Sequence, residues 1–333
     1  MLASGSGIPA SIAPALLAWY DAGTRDLPWR IRTGTADPYR VWLSEIMLQQ
    51  TTVAAVIPYF RSFVDRWPTV EALAAAADAD VMRAWAGLGY YARARNLLAC
   101  ARVVADTYGG HFPGDEAELR KLPGLGAYTA AAVAAIAFGK RAVVIDGNIE
   151  RVVARLFAIA EPLPGARRAI AAYADGITPD ARPGDYAQAA MDLGATICRP
   201  RAPLCLVCPV AAACAARALG NPEAFPVKAV KPVRPERTAG VYVLEHEGSV
   251  LLERRPPSGL LGGMPGFPDT PPAPVTWTWR GRVRHMLTHF GLTLDVYHAT
   301  GEARPDGLWC PVADLAHAGL PTLFRKVAGA VYG

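Results

Sequence analysis

Two textures of hydrophobic and polar positions divide the chain. From residue 9 to 220 apolar positions return at helical spacing, as in DPYRVWLSEIMLQQTTVAAVIPYFRSFV, and strand-like alternation is nearly absent. Asp37 is placed to cap a helix that starts with Pro38, because a short acidic side chain takes up free N–H groups and proline needs no donor at a first helical position. Ala-rich stretches at 70–106 and 127–138 continue the helical pattern. Between Asn221 and Thr238 the pattern breaks: NPEAFPVKAVKPVRPERT holds four prolines and four basic residues, which predicts an extended, solvated tether and an interdomain boundary. Beyond it, AGVYVLEHEGSVLLERR gives two β-rich runs around Glu247-Gly248, a hairpin signal, and LTLDVYHAT gives a further strand. The predicted architecture is a mostly α domain over 9–220, a Pro/basic linker over 221–238 and an α+β domain over 239–333.

Composition narrows this only a little. A chain of 333 residues is long enough for two cores. With 52% hydrophobic and 19% charged residues, disorder throughout is excluded. The opening MLASGSGIPASIAPALLAWY has no basic region before its apolar residues, and no run approaches the roughly 20 apolar residues of a membrane span. The expectation is a soluble, cytoplasmic protein without a membrane partner. A net charge of +5 permits a polyanionic partner without requiring one.

Cysteine spacing is more informative. Cys198, Cys205, Cys208 and Cys214 fall within CRPRAPLCLVCPVAAAC, a C-x6-C-x2-C-x5-C pattern. Without a secretion signal a disulfide framework is disfavoured. Four thiolates so close suit one metal centre, and on spacing alone tetrahedral zinc and an iron–sulfur cluster are both open. Cys100 and Cys310 stand alone and read as buried apolar thiols.

Three further features carry candidate chemistry, each beside a plainer reading. In KLPGLGAYTAAAV the glycines Gly124 and Gly126 allow a tight turn ahead of a helix whose N-terminal N–H groups could receive an anion; the plainer reading is a simple helix–helix turn. Glu45 shares a helix with Trp42, Leu43, Ile46, Met47 and Leu48, so burial would raise its pKa and let it act as a general acid; otherwise it is a solvent-facing Glu. Asp146 follows the apolar AVVI and opens DGNIERVVARLF, where an Asp is most often a helix cap.

Taken together and in order, SEIMLQQT, GLGYYARARNL, LPGLGAYTA, VIDGNIERV, MDLGATIC and the four-cysteine pattern resemble the adenine DNA glycosylases of the MutY type, within the helix-hairpin-helix, Gly/Pro-rich-loop, Asp superfamily. The resemblance covers residues 15 to 225 most strongly. RTAGVYVL, VLLERRPPSGLLGGMPGFP and RHMLTHF resemble that family's Nudix-like domain, which senses 8-oxoguanine. It implies a helix-hairpin-helix glycosylase domain with an iron–sulfur loop, and a monomer acting in base excision repair on duplex DNA, nucleoid-associated through that binding, that holds adenine opposite 8-oxoguanine or guanine. It also implies a [4Fe–4S] cluster on Cys198, Cys205, Cys208 and Cys214, structural and DNA-orienting, with Arg199 and Arg201 facing phosphates. Gly124 and Gly126 would meet the DNA backbone.

In that family's chemistry Glu45 would protonate N7 of a flipped-out adenine, and an ionised Asp146 would stabilise or trap the sugar cation before water attacks. Gln50, Thr51, Leu88 and Tyr90 would lie near the partner base, and Trp29, Arg30 and Gln188 around the adenine. In the related endonuclease III branch a lysine stands where this chain has Tyr128, and its amine forms a Schiff base that leads to strand cleavage. Tyr128 therefore implies a monofunctional enzyme, its hydroxyl helping to hold the carboxylate of Asp146. The alternatives are a glycosylase-lyase for oxidised pyrimidines, which lacks its lysine here, and a non-catalytic DNA-binding protein, for which two carboxylates would be superfluous.

The C-terminal part departs from a pyrophosphatase. Nudix hydrolases bind Mg²⁺ through a G-x5-E-x7-R-E-x-x-E-E-x-G helix, whereas Gly259 to His289 contains one acid, Asp269. WTWRGRVRHMLTHF instead carries Arg280, Arg282 and Arg284. Where the family reads the lesion with Phe-Ser-His, this chain has Leu287-Thr288-His289: Thr288 keeps a hydroxyl, His289 is retained and Leu287 lacks the aromatic ring. PDTPPAPVTW is short against the usual domain and implies a trimmed fold there. From Lys228 to Arg237, through Lys231 and Arg234, the linker carries a net +3 and is placed to follow a phosphate backbone.

Overall fold

The computed structural model describes residues 9–31, 36–229, 234–256, 259–287 and 289–333. The chain divides into two compact units, one of residues 1–75 and 96–230, the other of 76–95 and 231–333. Thr288 and Lys231 lie outside these described residues.

The first unit is helical. Its helices are α1 (Ile12–Gly23), α2 (Pro38–Leu48), α3 (Val53–Arg66) and α4 (Val70–Ala74); α5 (Asp78–Trp85) lies in the second unit, and α6 (Ala92–Tyr108) runs on into the first. The series continues with α7 (Glu116–Leu119), α8 (Ala127–Phe138), α9 (Gly147–Leu156), α10 (Arg167–Ile177), α11 (Pro183–Asp192) and the short α12 (Ala215–Ala218). The expected start of α2 is found: Asp37 caps it by accepting from the Tyr39 N–H at 2.9 Å, with Pro38 as first residue.

At the centre lies α8, in which seven of twelve residues are alanine. Residues Thr129 through Ala135 and Ala137 are buried on every side, and Gly139 ends the helix in the left-handed region at φ 62°. Small side chains let helices approach closely. A Cβ on Gly184 of α11 would sit 2.5 Å from the Ala135 carbonyl oxygen and 2.8 Å from the Ile136 Cα. Around α8 and α2 the core contains Trp42, Leu43, Met47, Phe60, Phe63 and Val133, each fully buried.

In the second unit the strands are β1 (Glu236–His246), β2 (Ser249–Arg254), β3 (Pro265–Gly266), β4 (Thr278–Met286), β5 (Gly291–Thr300) and β6 (Leu308–Pro311). They pair in the order β3-β2-β1-β5-β4, with β6 on β2. β1 and β5 are parallel and the remaining pairs antiparallel. The expected hairpin closes through Glu247 and Gly248, both at positive φ (46° and 70°), the two-residue geometry that matches strand twist. One sheet face, with Val241, Val243, Leu294 and Val296, packs with Leu323, Phe324 and Val327 of α13 (Thr322–Tyr332).

Segment 76–95, expected in the helical domain, groups by its contacts with the second unit, where the Arg95 guanidinium donates to the Gly262 carbonyl at 2.7 Å. Two sequence expectations are corrected. The predicted tether 221–238 is not free along its length: Val227 and Ala229 exchange backbone hydrogen bonds with Leu163, at 2.9 and 3.4 Å, and strand β1 has begun by Glu236. An extended segment offers N–H and C=O groups that a neighbouring backbone can satisfy, so it is held. Cys100 is fully buried, whereas Cys310, on an edge strand, is only half-buried.

The α8–α11 contact gives a stability test. Gly184→Ala must push backbone apart and should lower the first unit's stability by about 1–3 kcal/mol, the usual range for overpacking, read by urea unfolding followed through tryptophan fluorescence.

Candidate active site

Glu45 is buried because α2 is: Tyr39 and every residue from Val41 to Met47 are enclosed, so the helix offers its carboxylate no water-facing side. Burial pushes its pKa from 4.5 up to about 7. The Tyr128 hydroxyl on α8 opposes this by donating to Glu45 Oε2 at 2.5 Å, the charge of Asp146 reinforces it, and the Arg30 guanidinium opposes it. The Tyr128 ring hydroxyl is itself held well above its ordinary value by burial and by Glu45, and it lies 3.4 Å from Met191 Sδ. Tyr128 thus bonds the acid Glu45, not Asp146 as the sequence reading had it; α8 runs against α2, and that is the carboxylate in its reach.

Asp146 sits in a different environment. It caps α9, with Oδ1 accepting from the Asn148 and Ile149 N–H groups at 2.9 and 2.7 Å and Oδ2 from Asn148 Nδ2 at 2.8 Å. Burial raises its pKa, while these bonds and the nearby Arg151 charge lower it. The cap expected from the sequence is therefore present. Asn148 is in turn gripped by Arg151, whose Nη2 reaches Asn148 Oδ1 at 2.9 Å and the Gly194 carbonyl at 2.7 Å, and whose Nε reaches the Cys198 carbonyl at 2.8 Å.

The other expected residues divide by exposure. Arg30 is nearly buried and bonded to Asp192. Trp29 is in the core, edge-on to Phe60 at 5.3 Å. Gln188, half-buried on α11, donates to the Gly184 carbonyl at 3.3 Å. Gln50 is exposed at φ 56°, and Thr51 donates to the Gln49 carbonyl at 3.2 Å. Gln49 Nε2 ties this corner to the buried Thr129 on α8 at 3.1 Å. Leu88 and Tyr90 belong to the second unit: Leu88 is buried, while Tyr90 stands 53% exposed at φ 49°. Arg93 lies over the Trp85 and Tyr90 rings and donates to the Leu88 carbonyl at 3.2 Å.

In the hairpin between α7 and α8, Gly124 has φ 79°, and a Cβ there would meet Asn96 Cβ at 2.8 Å. Gly126 caps α8 with open space around it and no side-chain bond to the helix N-terminus. In the second unit His289 is exposed, and Leu287 packs against the sheet core while its N–H donates to the Phe290 carbonyl at 2.9 Å.

The four cysteines close a loop built from short 3-10 turns, Cys205–Val207 and Ala211–Ala213. Burial pushes the Cys208 thiol up to about 11, and the charges of Cys198, Cys205 and Cys214 push the same way, while the Val210 N–H counteracts them. Cys214 is raised by burial and by Cys198 and Cys205, against the Ala216 and Arg217 N–H groups. All four thiols thus feel one electrostatic neighbourhood. Arg155, fully buried on α9, closes the loop through the Arg199, Pro200 and Phe225 carbonyls at 2.7, 3.0 and 3.0 Å, with Nη1 3.4 Å from Cys198 Sγ. Among the described residues no group of three or more His, Cys, Asp or Glu side chains is arranged to hold a single metal ion. Sequence reasoning missed Asn148, Arg151 and Arg155, although their positions at i, i+3 and i+7 put them on one face of a helix. It also missed Gln49, Thr129 and Asp192, whose roles depend on helices distant in sequence.

Comparison with known proteins gives two matched regions. Residues 43–172 match the HhH-GPD superfamily base excision DNA repair protein family, and residues 239–330 match a NUDIX domain. The chain is 36% identical to the adenine DNA glycosylase of Homo sapiens, over 94% of this chain and 72% of the human protein. It is 44% identical to that of Mycolicibacterium smegmatis, over 64% of this chain and 72% of the relative. Among solved structures a thermostable thymine-DNA glycosylase is 32% identical with a TM-score of 0.56, covering 62% of this chain and 94% of that one. Endonuclease III in a non-covalent DNA complex, 22% identical with a TM-score of 0.51 over 61% of this chain and 92% of that one, shares the fold.

Burial of Glu45 has a cost that can be measured. A carboxyl whose native pKa lies above its unfolded value loses stability as pH rises from the unfolded toward the native value, here from 4.5 to about 7. Glu45→Gln carries no such penalty. The stability gained by the substitution should therefore be about 2 kcal/mol larger at pH 8 than at pH 5.5, in paired urea titrations.

Proposed function

The chain belongs to the adenine DNA glycosylase family, and from that premise we propose that it hydrolyses the N-glycosidic bond of adenine opposite 8-oxoguanine, and opposite guanine, in duplex DNA. It does so as a monofunctional base excision repair enzyme. The observation that carries the reading is the pair of carboxyls held in unlike surroundings: Glu45 desolvated, with its pKa pushed up to about 7 so that a large share stays protonated at neutral pH, and Asp146 held by helix N–H groups.

Adenine leaves poorly as an anion. Proton transfer from Glu45 to its N7 makes it a neutral leaving group as the C1′–N9 bond breaks, and the sugar gains oxocarbenium character. The Asp146 carboxylate stabilises that cation. Water then adds its oxygen to C1′ and gives up a proton to the Glu45 carboxylate, which restores the acid. Neither carboxyl can reach a stacked base, so the adenine is turned out of the duplex. In this reading Trp29, Arg30 and Gln188 serve the adenine, and Gln50, Thr51, Leu88 and Tyr90 serve the partner base. The Gly124–Gly126 turn and the open N-terminus of α8 suit a DNA phosphate. In the second unit His289, with Thr288 beside it, reads the 8-oxoguanine. Where a lyase places an amine, Tyr128 offers a hydroxyl committed to Glu45, so no Schiff base forms and the strand stays whole.

The donor set at Cys198, Cys205, Cys208 and Cys214 fits a [4Fe–4S] cluster. It offers four soft thiols in one neighbourhood, backbone N–H groups aimed at two of them and a buried guanidinium beside a third. Bound there, the cluster supplies a cross-link that fixes the loop, and base removal draws no electrons from it.

Single-turnover assays on duplexes with A opposite 8-oxoguanine, A opposite G and an oxidised pyrimidine test this reading. Adenine should be released from the first two, Glu45→Gln should lose about 10²–10⁴-fold in rate, and borohydride should trap no enzyme–DNA adduct. Release of the oxidised pyrimidine with efficient trapping would replace it with the lyase. Iron and sulfide analysis of anaerobically purified protein checks the cluster: the parent should carry both, and Cys208→Ser should lose them.

A further inference from the structure

The positive charge of Arg30 bears on Glu45 and favours its ionised form. A guanidinium does not give up its proton, so its influence depends on where it points. Its direction is set by Asp192, the last residue of α11 and only 3% exposed. Arg30 Nη1 donates to Asp192 Oδ2 at 2.6 Å and Nη2 to Oδ1 at 3.0 Å, a two-point fork that fixes orientation as well as distance. Arg25 Nη1 adds a third bond to Oδ1 at 3.2 Å. The anchor is itself fastened, because α11 passes at Asp192 into a π-turn over Leu193–Ile197 and Thr196 Oγ1 bonds the Asp192 carbonyl at 2.8 Å.

The groups around the acid are few. α8 contributes Tyr128, the α9 cap contributes Asp146, and the segment after α1 contributes Arg30. Behind Arg30 stand Tyr20 of α1, whose ring its guanidinium overlies at 5.9 Å, and Arg25, with Asp185 and Arg182 acting on Tyr20 from the start of α11. Released from Asp192, a nearly buried guanidinium would seek the other carboxylates within its field, and Glu45 is one of them.

We propose that Asp192 is a positioning residue for the acid: its carboxylate engages both arms of the Arg30 guanidinium and keeps that permanent cation from turning onto Glu45. This rests on Glu45 being the general acid. It assigns a function to the MDLGATIC stretch separate from Gln188 and the cysteines: Asp192 protects the protonated state that Glu45 needs.

The test uses the full chain and two readouts. Infrared difference spectra follow the carboxylic acid stretch of Glu45, identified as the band missing in Glu45→Gln, across pH. Single-turnover release of adenine opposite 8-oxoguanine is followed over the same range. In Asp192→Asn the band should titrate about one pH unit lower than in the parent, and the alkaline limb of the rate profile should move with it. The rate at pH 8 would fall roughly tenfold while that at pH 5.5 stays within about twofold. Arg30→Gln, which removes the cation, should shift the band the other way and serves if Asp192→Asn does not fold. A band that titrates unmoved in the folded variant, or a rate loss equal at all pH values, overturns the proposal. A parent that releases no adenine while the band still shifts overturns the functional reading and leaves the positioning role in place.

Discussion

A carboxyl kept away from water on α2 is the constraint from which the rest of the helical unit follows. For Glu45 to be desolvated, α2 must be packed on all sides, and the helices around it must approach closely enough to leave no channel. An alanine-rich helix, α8, allows that approach from one direction, and the bare Gly184 on α11 allows the next helix to close over it. The same closeness brings Tyr128 to Glu45 and Met191 to Tyr128. A larger residue on either contact face would move these groups by a distance that matters to a hydrogen bond but hardly to a hydrophobic core.

The two carboxylates are then separated by what surrounds them rather than by what they are. Glu45 has one side-chain donor and much burial, which favours the neutral form. Asp146 is also buried, but it accepts two main-chain N–H groups and an amide at a helix start, where the helix dipole favours a negative charge. Burial raises the pKa of both carboxyls, and at Asp146 the capping bonds and Arg151 offset part of that rise. Because the two are near enough to feel one another, ionisation of either opposes that of the other.

Features fixed by local chemistry were legible in the sequence, and those fixed by distant contacts were not. The Asp37–Pro38 helix start, the alanine helix 127–138, the Glu247-Gly248 hairpin and the Asp146 cap each depend on a few adjacent residues and appear where the pattern put them. The partner of Tyr128 was misread because sequence shows that a hydroxyl is present but not which of two carboxylates lies across from it. Asp192 carried no signal at all, since its importance comes from Arg25 and Arg30, more than 160 positions away. The segment 225–229 looked like tether by composition, yet Leu163 pairs with its backbone, and backbone pairing leaves no mark in composition.

Helix α9 joins two regions that sequence reading treats as separate. Its first turn holds Asp146, and three side chains on one face, Asn148, Arg151 and Arg155, lead from that carboxylate to the cysteine loop. Asn148 bonds Asp146, Arg151 bonds Asn148 and the Cys198 carbonyl, and Arg155 bonds the carbonyls of the two residues after Cys198. Each link is a charge-assisted or amide hydrogen bond in a buried or half-buried setting, where a lost partner is costly. The two main-chain N–H groups hold one Asp146 oxygen independently of this chain, so what the cysteine loop reaches through Arg151 is the Asn148 amide on the other oxygen.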